Sequence, residues 1–116
     1  MVEVPTFQAT IYVGLQEGYS PGPVHTVDEV IAELRGYTDT EGFCVSVTPV
    51  HFVYKGGQEP GVAVGVINYP RFPENNEALI AKALYLARRL GKKFIQVRVS
   101  VVFPHETIML TAGDDY

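Results

Sequence analysis

Tryptophan is absent and there is a single cysteine, Cys44. One thiol cannot close an internal disulfide, and it excludes metal sites built from several cysteines. It is compatible with a reducing interior. No apolar run approaches the roughly 18 residues that a membrane helix needs. The opening stretch MVEVPTFQAT lacks the basic and apolar regions of a secretory signal. Basic residues are few: nine Lys and Arg face thirteen Asp and Glu, a net charge of −4. That balance argues against nucleic acid and anionic membranes as partners, because a basic surface supplies most of that affinity. His25, His51 and His105 show no HxH, HxxxH or HExxH spacing, so no metal site is expected. Cys44 and His51 lie seven residues apart on one strand, some 20 Å at strand rise, too far for a nucleophile–base pair. No catalytic residue set and no cofactor are expected, and a cytoplasmic location is the default.

What is present describes one domain, residues 1–116. The chain is 47% hydrophobic and 19% charged, enough apolar material for a core. Residues 7–15 alternate, with Phe7, Ala9, Ile11 and Val13 on one face and Gln8, Thr10 and Tyr12 on the other, as a half-buried strand does. The Gly- and Pro-rich residues 16–24 read as loop. Thr26 and Glu29 form a capping-box pattern. The stripe Val27, Val30, Ile31, Leu34 then predicts a helix, with Gly36 as its stop and residues 37–41 as polar connector.

Residues 42–73, GFCVSVTPVHFVYKGGQEPGVAVGVINYPRFP, organise the rest. They read as a hairpin: a strand interrupted by Pro49, a turn over 55–60, and a near-continuous apolar strand over 61–69. Proline cannot donate to a ladder, so the Pro49 strand belongs at a sheet edge or carries a bulge there. The apolar strand suits a central position. Residues 74–90 predict a second helix capped by Gly91. Residues 93–103 alternate again, with Ile95, Val97, Val99 and Val101 inward and Gln96, Arg98 and Ser100 outward. A turn over 104–106, a short strand over 107–111 and a loose acidic tail over 112–116 complete the chain.

The order is that of an α+β, ferredoxin-like βαββαβ antiparallel sheet with two helices on one face and a short extra C-terminal strand. The opposite sheet face is then open and polar, carrying Tyr12, Cys44, Ser46, Thr48, Gln96 and Arg98 among others. A ligand or a partner subunit is expected there. Tyr12 and Arg98 are candidate ligand residues on that face. Asn68, Tyr69, Arg71 and Phe72, in the exit from the apolar strand, are the others. Aromatic rings stack on bases, and arginine makes paired hydrogen bonds to phosphate or carboxylate. The glycine-rich turn KGGQEPG matches neither GxxxxGK[ST] nor GxGxxG and joins two strands, so it is read as a turn.

The stretch CVSVTPVHFVYKGG, with its Cys-Val opening, aromatic strand and glycine turn, resembles the CutA proteins. The element order is also similar to that of the PII signalling proteins. Both families form trimers, and PII proteins bind nucleotides between subunits. The resemblance implies a homo-oligomer, dimer or trimer, but the long PII loop is missing and no binding residue carries over. The open polar face, the aromatic–Arg exit loop and the lack of a catalytic constellation give the expectation of a non-enzymatic protein binding a small nucleotide-like or phosphorylated signalling molecule at a subunit boundary. It would sense or sequester that molecule; small accessory and phage-encoded proteins do the latter. Two alternatives stay open: an enzyme of the dimeric α/β-barrel type using His51 or Tyr12 as acid–base, and a structural or assembly subunit.

Overall fold

The computed structural model describes residues 1–18 and 22–116. Its elements are β1 (Gln8–Gly14), α1 (Val27–Glu41), β2 (Val45–Tyr54), β3 (Gly57–Ile67), α2 (Asn76–Lys93), β4 (Arg98–Val102) and β5 (Thr107–Thr111). The sheet order is β2-β3-β1-β4-β5 and every pairing is antiparallel. This is the ferredoxin-like arrangement expected, with β5 added beside β4. Part of the loop expected over residues 16–24 lies outside the described residues; its ends meet in a Gln16–Val24 bridge.

One sheet face holds the core. Ile11 and Val13 of β1, Val62, Val64 and Val66 of β3, and Val99 and Val101 of β4 are buried against Val30 and Leu34 of α1 and Leu79, Ala83, Leu86 and Leu90 of α2. These are the alternating positions of each strand and the apolar stripe of each helix, so burial follows the two periodicities directly. Each fully buried aliphatic side chain contributes about 1.5–3 kcal/mol.

Pro49 sits on the edge strand β2, paired with Val62 in unbroken register from Val45 to Tyr54. No bulge intervenes, so Ser46, Thr48, Val50 and Phe52 keep one face and His51 the other. The hairpin turn is tighter than expected. Tyr54 pairs with Gly57, and Gly56 adopts a positive φ of 86°. Gln58, Glu59 and Pro60, expected in the turn, are therefore strand residues, because two residues suffice to reverse the chain when one is glycine.

Four boundaries differ from the sequence reading. Helix α1 continues through Gly36 to Glu41 and ends at the left-handed Gly42, φ 54°. Tyr37 is the reason: it is buried, edge-on to Phe43 at 6.1 Å and against Tyr85 at 5.3 Å. That contact outweighs the roughly 1 kcal/mol a helical glycine costs. Helix α2 begins at Asn76 under an Asn75 cap and runs past Gly91. Gly91 is a packing site for the Tyr116 ring rather than a cap. Ile95 is exposed with φ 52°, and Gln96 is buried, the reverse of the alternation expected there. The helix ends late, so regular strand geometry begins only at Arg98. The tail is tied down: Tyr116 donates its hydroxyl to the Gln96 carbonyl at 2.5 Å, and Ala112 N–H bonds Val97 O at 2.9 Å. Among the described residues no helix is long and apolar enough to cross a membrane.

Candidate functional site

The open sheet face acquires a cleft from register alone. Phe52 of β2 stands opposite Glu59 of β3, and Tyr12 of β1 is flanked by Ala63 of β3 and Ser100 of β4. Tyr12, Phe52, Glu59 and Ser100, with Gly14, Gln96 and Arg98, line a cleft of about 170 Å³. The Tyr12 and Phe52 rings meet edge to face at 6.3 Å. Phe52 lies across Gly61, where its ring occupies the space of a side chain. Glycine at 61 thus lets an aromatic ring lie flat on the sheet beside Glu59.

Glu59 is the chemically distinctive group. Burial raises its carboxyl pKa above the ordinary value, because low dielectric penalises the charged form. Its neighbour Gln96 is 6% exposed. The Gln96 Nε2 donates to Gln16 O at 2.9 Å and Phe94 O at 3.0 Å. A Cβ placed on Gly14 would lie 2.5 Å from Gln96 Oε1 and 3.4 Å from Glu59 Oε1, so the two oxygens converge over that glycine. Two acceptors beside two aromatic rings suit a positively charged group. The Arg98 guanidinium at the same cleft suits an anionic one.

The candidate residues named from sequence separate into two places. Tyr12 and Arg98 come together in this cleft. Asn68, Tyr69, Arg71 and Phe72 lie at the other end of the sheet, beyond the pairing of Ile67 with Gln8. There Asn68 is buried, donating from Nδ2 to Pro5 O at 2.8 Å and accepting from Glu74 N–H at 3.0 Å. Its amide ties the N-terminal segment to the start of α2. Tyr69 and Phe72 stack at 6.0 Å within a tight turn closed by Phe72 N–H to Tyr69 O, and Arg71 lies over the Phe72 ring. Phe52, Glu59 and Gln96 were not among the candidates. Their signal was the strand alternation: carried through a two-residue turn it places Phe52 and Glu59 on the Tyr12 face, and over residues 93–103 it placed Gln96 on the open face without singling it out as a ligand residue.

His51 is on the opposite hairpin face, exposed and bonded to Gln58 at 3.1 Å, so it does not reach the cleft. His25 bridges Glu29 at 2.7 Å and Glu17 at 2.9 Å, its ring edge-on to Phe94 at 5.0 Å. The hydrogen bond to Glu29 raises its pKa, with Glu17 adding to the effect. Among the described residues no group of three or more His, Cys, Asp or Glu side chains could hold a metal ion.

No known protein family and no curated protein matches the chain. Solved structures do. Phage SAM lyase in complex with S-methyl-5'-thioadenosine superposes with a TM-score of 0.78 at 21% identity, covering 97% of this chain and 94% of that one. Phage SAM lyase in the apo state gives 0.76 at 24% identity, covering 92% and 90%. The shared property is the fold. These matches correct the expectation of a non-enzymatic sensor or sequestering protein: the solved chains built like this one belong to an enzyme that holds a small molecule. They are neither CutA nor PII proteins, so that likeness stands only as ferredoxin-like architecture.

Proposed function

We propose that this chain is an enzyme that cleaves S-adenosylmethionine as a lyase does, at the cleft formed by Tyr12, Phe52, Glu59, Gln96 and Arg98. The observation that carries the reading is the half-buried Glu59 carboxyl beside an aromatic pair, on a scaffold shared with phage SAM lyase over nearly the whole chain. S-adenosylmethionine carries a sulfonium and an ammonium as cations and a carboxylate as anion. The cleft offers rings and two oxygens to the former and a guanidinium to the latter.

The chemistry asked of the site is modest. The bond between the sulfonium and the γ-carbon of the amino-acid chain breaks, and its electron pair goes to sulfur, leaving the neutral thioether S-methyl-5'-thioadenosine. The γ-carbon is taken by the substrate's own carboxylate oxygen, so the four-carbon fragment closes into a lactone and no proton or water is consumed. Sulfonium and carboxylate both lose their charge in this step. A water-poor cleft destabilises the separated charges more than the product and so lowers the barrier. Positioning by Arg98 and electrostatic support by Glu59 are then the protein's contribution. Of the acid–base pair considered from sequence, Tyr12 lies in the cleft and serves as a binding ring and hydroxyl.

A volume of about 170 Å³ is below the ~300 Å³ at which small-molecule pockets begin. A second copy of the chain, closing over the open sheet face, supplies the missing wall in this proposal, which retains the expected homo-oligomer. The test is incubation of the purified protein with S-adenosylmethionine and chromatographic detection of S-methyl-5'-thioadenosine. Release above the uncatalysed background supports the reading. No release, together with no binding of either compound, removes it.

A further inference from the structure

The turn joining α2 to β4 is held more firmly than a connector requires. Ile95 is β-branched, exposed and left-handed at φ 52°, a conformation that costs such a residue about 1–3 kcal/mol. Around it the end of α2, the Gly18 loop and the C-terminal tail each contribute hydrogen bonds. Phe94 N–H bonds Leu90 O, Gln96 N–H bonds Gly91 O at 2.9 Å, and Gly18 N–H bonds Ile95 O at 3.3 Å. The Tyr116 hydroxyl takes the Gln96 carbonyl from the other side. Surrounding structure that over-determines a strained residue is a mark of a position whose geometry matters.

What the turn orients is the Gln96 side chain. Two backbone carbonyls receive its Nε2, so the amide can point only one way, with Oε1 toward the cleft over Gly14. An amide with both ends occupied inside the fold would be a structural tie. This one has its acceptor end beside the Glu59 carboxyl and Arg98. Resting on the reading of the cleft as a site for S-adenosylmethionine, we infer that Gln96 Oε1 is a substrate-binding acceptor that, with Glu59, receives the N–H groups of the substrate's α-ammonium.

The sulfonium does not fill this role, because it has no hydrogen to donate and is better served by the ring pair. The α-ammonium has three N–H donors, and two oxygens converging on one point match two of them. Arg98, two residues along, is placed for the α-carboxylate of the same amino-acid group. Gln96 is thereby a specificity residue: it separates ligands that keep the amino-acid chain from those that lack it.

Two neutral thioethers isolate that contact. S-adenosylhomocysteine keeps the amino-acid chain, and S-methyl-5'-thioadenosine lacks it; neither is a sulfonium. Calorimetric titration of the full chain and of Gln96→Met is expected to show S-adenosylhomocysteine weakened about tenfold or more, the range for a hydrogen bond to a charged group. S-methyl-5'-thioadenosine should change less than twofold. Equal weakening of both ligands, or of neither, overturns the inference, the first because it marks a structural tie. Tyr116→Phe, which loosens the turn without touching the amide, should show the same selective loss at a few-fold. It decides the matter if Gln96→Met does not fold, with unequal loss as support and equal or no loss as refutation. If the unaltered protein binds both thioethers and cleaves the sulfonium while these variants behave as it does, only the inference falls. If it does none of these things, the proposed function falls and takes the inference with it.

Discussion

Two ends of one sheet hold the same residue types in different arrangements. At one end Asn68, Tyr69, Arg71 and Phe72 place an amide, two rings and a guanidinium within five residues. At the other, Gln96, Tyr12, Phe52 and Arg98 bring an amide, two rings and a guanidinium together from three strands and a turn. The Asn68 amide bonds Pro5 O and Glu74 N–H, one bond at each end, so it closes the fold. The Gln96 amide bonds Gln16 O and Phe94 O through its nitrogen, and its oxygen lies over Gly14 at the cleft. Residues close in sequence form a turn held by its own contacts, whereas the cleft draws on residues far apart. A carboxyl makes the second difference. Glu59 stands in the cleft with its pKa raised by burial, whereas the carboxyl at the Asn68 end, Glu74, is paired with Lys82 at 2.6 Å.

The comparison is tested most severely by paired substitutions. Glu59→Gln should lower cleavage of S-adenosylmethionine by about 10²-fold or more, the scale of losing one preorganised electrostatic contact. Arg71→Ala should leave it within twofold. Comparable losses from both would erase the distinction between the two ends. The Glu59 variant should also melt higher than the parent at neutral pH. A carboxyl whose folded pKa is raised favours the fold most when protonated, and that contribution is lost as pH rises through the folded value. A neutral amide avoids the loss, and thermal melts at pH 7 and pH 4 should show the advantage only at the former.

Next in size is Gly14→Ala. Its added methyl meets Gln96 Oε1 and little else at close range, so the fold should survive while binding of S-adenosylhomocysteine falls about tenfold. Unchanged affinity would mean that the oxygens over Gly14 do not face ligand. Asn68→Ala should do the opposite. It should destabilise the chain by about 1–3 kcal/mol, because Pro5 O and Glu74 N–H lose a buried partner, and leave ligand affinity alone, as denaturant unfolding and titration would show.

The smallest effect concerns His25, between Glu29 and Glu17 beside the loop that carries Gly18 toward the cleft. Its pKa is raised by the hydrogen bond to Glu29. The stability it adds is full below its unfolded value near 6.5 and is lost as pH rises through the folded value. Stability should decline slightly across that window above pH 6.5, and His25→Gln should flatten the decline. His25 and Glu17 are partly buried and Glu29 is exposed, and screening by the solvent around Glu29 keeps the change small.

Most of the architecture was legible. Alternation over β1 and β4, the helical stripes of α1 and α2, and Pro49 on an edge strand follow from local periodicity and backbone chemistry, which act over a few residues. Where the reading slipped, a distant contact won. Tyr37 prolongs α1 past Gly36 because Tyr85 and Phe43 lie against it. Gly91 stays helical because Tyr116 packs on it. The lining of the proposed cleft was half legible: the positions of Tyr12 and Arg98 on the open face follow from strand parity. Phe52 and Glu59 required the turn to be two residues rather than six.

The sequence by itself determined the order of elements, the helix-covered face and the acidic, single-thiol composition, since each depends on residue type and short spacing. The tertiary structure alone decided which residues meet over Gly14. Gln96 reaches that point only because the Phe94–Gln96 turn is bent into a left-handed step and held there by Leu90, Gly91, Gly18 and Tyr116. Such a conformation is unfavourable locally. It exists because contacts from the end of α2, the Gly18 loop and the C-terminal tail outweigh the local preference.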